Sequence, residues 1–64
     1  MWIEIKKVPT LMLAEMWKEF YEGEGIPTHI LPESGLPIGQ ENATYRILVP
    51  QDRQHVVDEI MRKL

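Results

Sequence analysis

The alternation of apolar and polar residues at the start of the chain is typical of a β-strand with one buried face. One side of residues 1–8 carries Met1, Ile3 and Ile5, and the other side carries Trp2, Glu4 and Lys6. Lys6 and Lys7 near the end of this segment suit an edge strand, because charged side chains discourage pairing with a further strand. The pattern therefore predicts a first strand at the edge of a sheet.

A helical spacing replaces the alternation after Pro9 and Thr10. The apolar residues Leu13, Met16, Trp17, Phe20 and Tyr21 follow the i, i+3, i+4 spacing of an amphipathic helix. Thr10 is predicted to be its N-cap, because a hydroxyl oxygen can accept a hydrogen bond from the first turn. The helix should end near residues 22–24, with Gly25 in the left-handed conformation that closes many helices and Gly23 as a second candidate.

Two further strands are predicted, separated by a segment rich in proline and glycine. Residues 26–31 predict a second strand, in which Ile26, Thr28 and Ile30 share one face and His29 and Leu31 share the other. Residues 44–49 predict a third strand, in which Tyr45, Ile47 and Val49 oppose Thr44, Arg46 and Leu48. Apolar residues on both faces favour the centre of the sheet. Residues 32–43 predict a loop, because prolines and glycines interrupt regular structure.

The last predicted element is a second amphipathic helix. Asp52 would cap it, and Val56, Val57, Ile60 and Leu64 would form its inner side. The order β-α-β-β-α makes the first two strands parallel and joins them by a right-handed crossover. A third strand between them gives a single α+β domain over residues 1–64, with strand order 1-3-2. Both helices then cover one face of the sheet and leave the other as an open face.

The composition of the chain limits which partners it can bind and what can stabilise its small core. The chain has 64 residues and no cysteine, so no disulfide stabilises its small core. A chain of this size buries only roughly 60% of the surface that its unfolded form exposes, and self-association is a common remedy, so a homodimer is expected. The net charge is −3 without a basic stripe, which argues against nucleic acid. The longest apolar run, residues 11–14, is too short to cross a membrane, and a cytoplasmic location is expected.

The first candidate site is an apolar group on the predicted open face. Trp2, Leu31 and Leu48 would lie together there, with Glu4, Lys6, His29 and Arg46 around them. An apolar patch with a polar rim is typical of a protein-contact surface, although the same side chains could simply cover the sheet. Leu36 and Ile38, in the loop of residues 32–43, are the other candidate partner-binding residues.

A second candidate site lies at the start of the first helix. Lys6, Lys7 and Thr10 stand beside a helix N-terminus, where backbone amides can hold an anion. No glycine-rich turn specifies a phosphate site there. A small-ligand or anion sensor is therefore the alternative function.

Metal and catalytic sites are weakly indicated. His29 and His55 could form a metal or acid–base site with Glu33 or Asp58, because histidine titrates near neutral pH. Their spacing instead favours one histidine on the sheet surface and one at a helix start. The sequence contains no nucleophile motif and no glycine-rich nucleotide turn. An enzyme, a cofactor and a bound metal are therefore not expected.

Four segments carry a resemblance to a known family. They are the strand Trp2-Ile3-Glu4-Ile5, the turn Pro9-Thr10 before a helix containing Ala14-Glu15, the helix end Glu22-Gly23-Glu24-Gly25-Ile26-Pro27, and Val49-Pro50 before the Asp52-led helix. Over nearly its whole length the chain resembles a family of small prokaryotic signal-transducing domains. Members of that family look like a ferredoxin-like fold that lacks its last strand, and they are grouped by shape with PII-type regulators.

The resemblance implies a regulatory role rather than catalysis. In PII-type regulators, the loop between the second and third strands contacts partners, and residues 32–43 occupy that place here. The chain departs from those regulators because it lacks the final strand and a nucleotide-binding signature. The expectation is therefore a non-enzymatic regulatory or protein-interaction module, which contacts a partner through the open face and residues 32–43.

Overall fold

The computed structural model describes residues 1–33 and 43–64. Its elements in chain order are strand β1 (Trp2–Val8), helix α1 (Leu11–Gly23), strand β2 (His29–Pro32), strand β3 (Tyr45–Pro50), a 3-10 turn (Gln51–Arg53) and helix α2 (Gln54–Arg62). β3 lies in the centre and is antiparallel to both neighbours, which gives the strand order β1-β3-β2. The predicted α+β class, element order and strand order are confirmed.

The hydrophobic core lies between the sheet and the two helices. Its largest fully buried side chains are Tyr21, Ile26, Tyr45, Ile47 and Val49. Ala14 of α1 and Val57 of α2 belong to the same cluster, so both helices pack on the face of β3 that carries its odd-numbered residues. Neither helix in the described ranges is long and apolar enough to cross a membrane.

The two ends of α1 are held by the residues that the sequence indicated. The Thr10 hydroxyl accepts a hydrogen bond from the amide of Leu13 at 3.2 Å, which confirms it as the N-cap. Gly25 has a φ of 85°, which a residue with a side chain rarely adopts. The Gly25 amide donates to the Glu22 carbonyl and the Ile26 amide donates to the Tyr21 carbonyl, the paired bonds of a Schellman motif.

The helices differ from the prediction at three positions. Met16 is 51% exposed, because Ala14 and Tyr21 define the buried line of α1 and Met16 lies outside it. Leu64 follows the end of α2 and is 74% exposed, and Met61 packs on the core instead. Asp52 lies inside the 3-10 turn, and in this part of the described chain Arg53 occupies the N-cap of α2 without a side-chain capping bond.

A β-bulge in β1 reverses the predicted direction of Lys6 and sets the direction of Lys7. Glu4 lies opposite Leu48 and Lys6 lies opposite Ile47, so Ile5 is an extra residue in the ladder. The alternation shifts by one position after Ile5. Lys6 therefore lies on the helix-covered face, where the sequence had placed it on the open face, and Lys7 takes the open face.

The second strand is shorter than predicted and begins three residues later. The predicted range of 26–31 contracts to His29–Pro32 because the preceding residues are engaged elsewhere. Ile26 donates to Tyr21 in the helix end, Pro27 has no amide proton, and the Thr28 hydroxyl donates to the Ile26 carbonyl at 3.0 Å. The ladder between β2 and β3 begins at His29, which lies opposite Leu48.

Candidate functional site

The open face of the sheet is formed by residues from all three strands. Its described members are Trp2, Glu4 and Lys7 from β1, Arg46 and Leu48 from β3, and His29 and Leu31 from β2. Both helices lie on the opposite face, so this surface faces outwards. Trp2 and Leu31 are each 43% exposed, which is high for large apolar side chains.

A contact between Trp2 and His29 crosses the central strand. Their ring centroids are 4.0 Å apart and the rings meet edge to face, although β1 and β2 are not neighbours in the sheet. Leu48 lies opposite His29 and is only 7% exposed. The prediction that Leu48 forms part of an exposed patch is therefore wrong in that respect, because the two rings span the strand that carries it.

Two ion pairs join strands across the same face. The Glu4 carboxylate accepts a hydrogen bond from the Arg46 guanidinium at 2.7 Å, which links β1 to β3. The Lys7 ammonium donates to Glu33 at 2.5 Å, which links β1 to the residue that follows β2. The hydrogen bond and charge of Glu33 raise the pKa of Lys7 above its ordinary value. The four charges on the face thus balance in pairs.

The predicted polar rim is partly reproduced. Glu4, His29 and Arg46 lie on the open face as predicted, whereas Lys6 lies on the other side of the sheet. Lys7 and Glu33 were not predicted to belong to the rim. The bulge at Ile5 places Lys6 on the helix-covered face and Lys7 on the open face. A glycine in the strand would have indicated a bulge in the sequence, but the extra residue is an isoleucine.

The loop between β2 and β3 is described only at its ends. Leu36 and Ile38, the predicted contact residues in this loop, lie outside the described residues. The Glu33 amide donates to the Thr44 carbonyl at 2.9 Å, so the two ends meet beside the sheet. Ala43 packs against the core. The chain therefore leaves the sheet after Pro32 and returns to it at Tyr45, at the end that carries the Lys7–Glu33 pair.

The three residues of the alternative anion site have other contacts. The Lys6 ammonium lies 3.4 Å from the centroid of the Trp17 ring, and its burial lowers its pKa. Lys7 is paired with Glu33, and the Thr10 hydroxyl caps α1. Lys6 and Lys7 lie on opposite faces of the sheet, so the structure does not bring the three side chains together.

The two histidines are also separated. His29 lies on the open face, while His55 is exposed on α2, which packs on the opposite face. Within residues 1–33 and 43–64, no group of three or more potential metal-ligating side chains is assembled. The surface of this described part also holds no pocket. The favoured prediction, with one histidine on the sheet surface and the other at the start of a helix, is therefore confirmed.

Comparisons with protein-family models, curated proteins and solved structures find no match to this chain. The resemblance to the small signal-transducing domains therefore stays a prediction. What the described residues define is a small α+β domain with one sheet face outside its core. The geometry of that face is the basis for a functional proposal.

Proposed function

We propose that this chain is a non-enzymatic regulatory module that binds protein through its open face and residues 32–43. One observation carries the proposal: Trp2 and Leu31 stay exposed on a sheet face whose charged residues are already paired with one another. Aromatic residues with few unpaired charges are the composition of the centre of a protein interface. The first partner that we propose for this face is a second copy of the chain.

The distribution of charge favours contact between two open faces. The whole chain has ten acidic and seven basic residues. Two of each kind form the pairs on the open face, and the described residues outside that face include seven acidic and five basic residues, so their excess negative charge lies elsewhere. Two copies that meet through their open faces would keep their acidic surfaces apart, because those surfaces point away from the contact.

The sheet edges are poorer routes to association. β1 carries a bulge at Ile5, and bulges on edge strands obstruct the addition of another strand. β2 spans His29–Pro32 and ends at a proline, which lacks an amide proton for a ladder. Face-to-face contact about a two-fold axis is therefore the arrangement that we propose, with Trp2 near the equivalent surface of its partner.

The expected dimer is weak because the face is small. The three strands have 7, 4 and 6 residues, so the face that they present covers roughly 280 Å² at a strand spacing of about 4.8 Å and a rise of about 3.4 Å per residue. Stable interfaces bury roughly 800 Å² on each partner. Residues 32–43 would add to the contact. A dissociation constant in the micromolar range is therefore expected.

Sedimentation of the wild type and of Trp2→Glu at several concentrations tests the proposal. The wild type should associate with increasing concentration, and Trp2→Glu should remain monomeric, because it places two like charges in the contact. Met16→Glu is the matched control, since it adds the same charge at an exposed position of α1 on the other side of the sheet. A wild type that stays monomeric at high micromolar concentration contradicts the homodimer.

Signal transduction belongs to this proposal through the family resemblance, and a cytoplasmic location belongs to it because no apolar run of the sequence is long enough to cross a membrane. The anion sensor remains an untested alternative that none of the described contacts favours, because Lys6 and Lys7 point to opposite faces. Chemical shift changes at residues 7–11 on titration with phosphate would support the sensor. Changes confined to the open face as the protein concentration rises would support the interaction module.

A further inference from the structure

We infer that protonation of His29 weakens self-association through the open face, so that the contact responds to pH between neutral and mildly acidic conditions. The inference rests on the proposed function and adds a form of regulation to it. Histidine is the side chain whose charge ordinarily changes in this range. The chain has two histidines, and only His29 lies on the open face.

The position of His29 makes its charge relevant to any contact there. The imidazole lies over the sheet with its ring centroid 4.0 Å from that of Trp2. Trp2 is the large exposed aromatic residue on the surface that we propose for docking. A partner that covers Trp2 must therefore also cover the imidazole that touches it.

No carboxylate among the described residues of the open face is free to balance a charge on His29. From β1, Glu4 is the acidic group on this face, and it is bound to Arg46 of β3. Glu33, beyond the end of β2, is bound to Lys7. Protonation of His29 thus adds an unbalanced positive charge to a neutral surface.

Docking would make that added charge costly. In a single chain the His29 side chain is exposed, so water can solvate the imidazolium. In a face-to-face dimer the same group would lose water, and burial disfavours the charged form of histidine. A two-fold axis also brings the equivalent histidine of the second copy to the same interface. Both effects make the face-to-face dimer less stable when His29 is protonated.

Sedimentation equilibrium at about pH 8 and about pH 5.5, which bracket the titration of histidine, tests the inference. The dissociation constant of the wild type should rise by about tenfold or more at the lower pH, because each copy contributes one histidine. His29→Gln should associate equally at both pH values. His55→Gln is the matched control, because it removes the histidine on α2, and it should behave like the wild type.

The outcomes separate this inference from the proposed function. Absence of association at both pH values overturns the homodimer and the inference with it. Association that is equal at both pH values, or tighter at the lower one, overturns the inference alone. A pH response that persists in His29→Gln also overturns it, because another group would then be the cause.

A second measurement tests the contact in the dilute monomer. In a Trp17→Phe background, Trp2 is the remaining tryptophan, so its fluorescence reports its own surroundings. Protonation of the adjacent imidazole should change that emission in a single transition, and His29→Gln should abolish the transition. A Trp2 emission that is independent of pH would contradict the contact on which the inference depends.

Discussion

The helix-covered face and the open face of the sheet use the same three strands but hold their side chains in different ways. On the helix-covered face, Tyr45, Ile47 and Val49 of β3 are fully buried beneath two helices. On the open face, Leu48 of the same strand is 7% exposed, and the Trp2 and His29 side chains of the two edge strands meet across that strand. The residues of β3 on the helix-covered face are therefore buried by the layer of helices. Leu48 is buried to nearly the same extent on a face where side chains meet across the strands and no helix lies.

The difference shows why burial alone does not assign a residue to the core. A helix-covered residue loses its neighbours only if an element moves, and its removal leaves a closed cavity. The strand that carries Leu48 is spanned by the contacting rings of Trp2 and His29, which are themselves exposed side chains and can change rotamer. The open face can thus rearrange around a partner without disturbing the core.

The sharpest test replaces adjacent residues of β3. Ile47→Ala should lower the free energy of unfolding by about 2–5 kcal/mol, because the surrounding helices and strands cannot close the cavity. Leu48→Ala should cost less than about 2 kcal/mol, since the Trp2 and His29 rings can move into the vacated space. Urea unfolding of the two variants measures both values. Equal losses would mean that the open face is packed as rigidly as the core.

The helix-covered side of the sheet should make the stability of the fold depend on pH under alkaline conditions. Burial raises the pKa of Tyr21, whose hydroxyl donates to the Met61 sulfur at 3.5 Å in the helix-covered core. The unfolded chain therefore loses this proton first, near its ordinary pKa of about 10, so stability is complete below that pH and falls above it.

Tyr21→Phe should reduce this alkaline loss. Urea unfolding at about pH 8 and about pH 11 on either side of the tyrosine titration measures the difference. Lys6 and Lys7 are present in both proteins, so their shifted pKa values largely cancel in the comparison. An equal loss of stability in wild type and Tyr21→Phe would show that another group causes it.

The smallest expected effect separates the two lysines on either side of the sheet. Lys6→Leu should alter the emission of Trp17 and change stability by less than about 1 kcal/mol, the size of a cation–π contact at an exposed site. Lys7→Leu should leave Trp17 emission unchanged, because its partner is Glu33 on the open face. Fluorescence in a Trp2→Phe background measures the Trp17 emission of both variants. Equal responses would contradict the opposite orientations of the lysines.

The elements and their order could be predicted because local signals mark them. Thr10 and Gly25 bound α1 through interactions within a few residues, and the alternation in β3 identifies its buried side. The directions of Lys6 and Lys7 could not be predicted in the same way, because they depend on pairing with residues of β3 far along the chain. A bulge at an isoleucine cannot be recognised from the sequence of β1, because isoleucine is also an ordinary residue of a regular strand.

The candidate site could be predicted only in outline. Placing Trp2 and Leu31 on an open face required no more than strand order and alternation. The Trp2–His29 contact depends on how far two side chains reach across β3, and the Lys7–Glu33 pair depends on the bulge. Such contacts depend on which residues of the paired strands lie opposite each other. The pairing of all four charges on the open face could therefore be recognised only from the structure.

The closing turn of α1 also bears on how the core assembles from an unfolded chain. The bond from the Ile26 amide to the Tyr21 carbonyl joins two residues that are both fully buried and only five positions apart. Chain entropy opposes distant contacts more than near ones, so this contact costs less to close than any contact between α1 and β3. The core thus contains a contact that can form early in folding at a small cost in chain entropy. Strand β2 begins three residues after this contact.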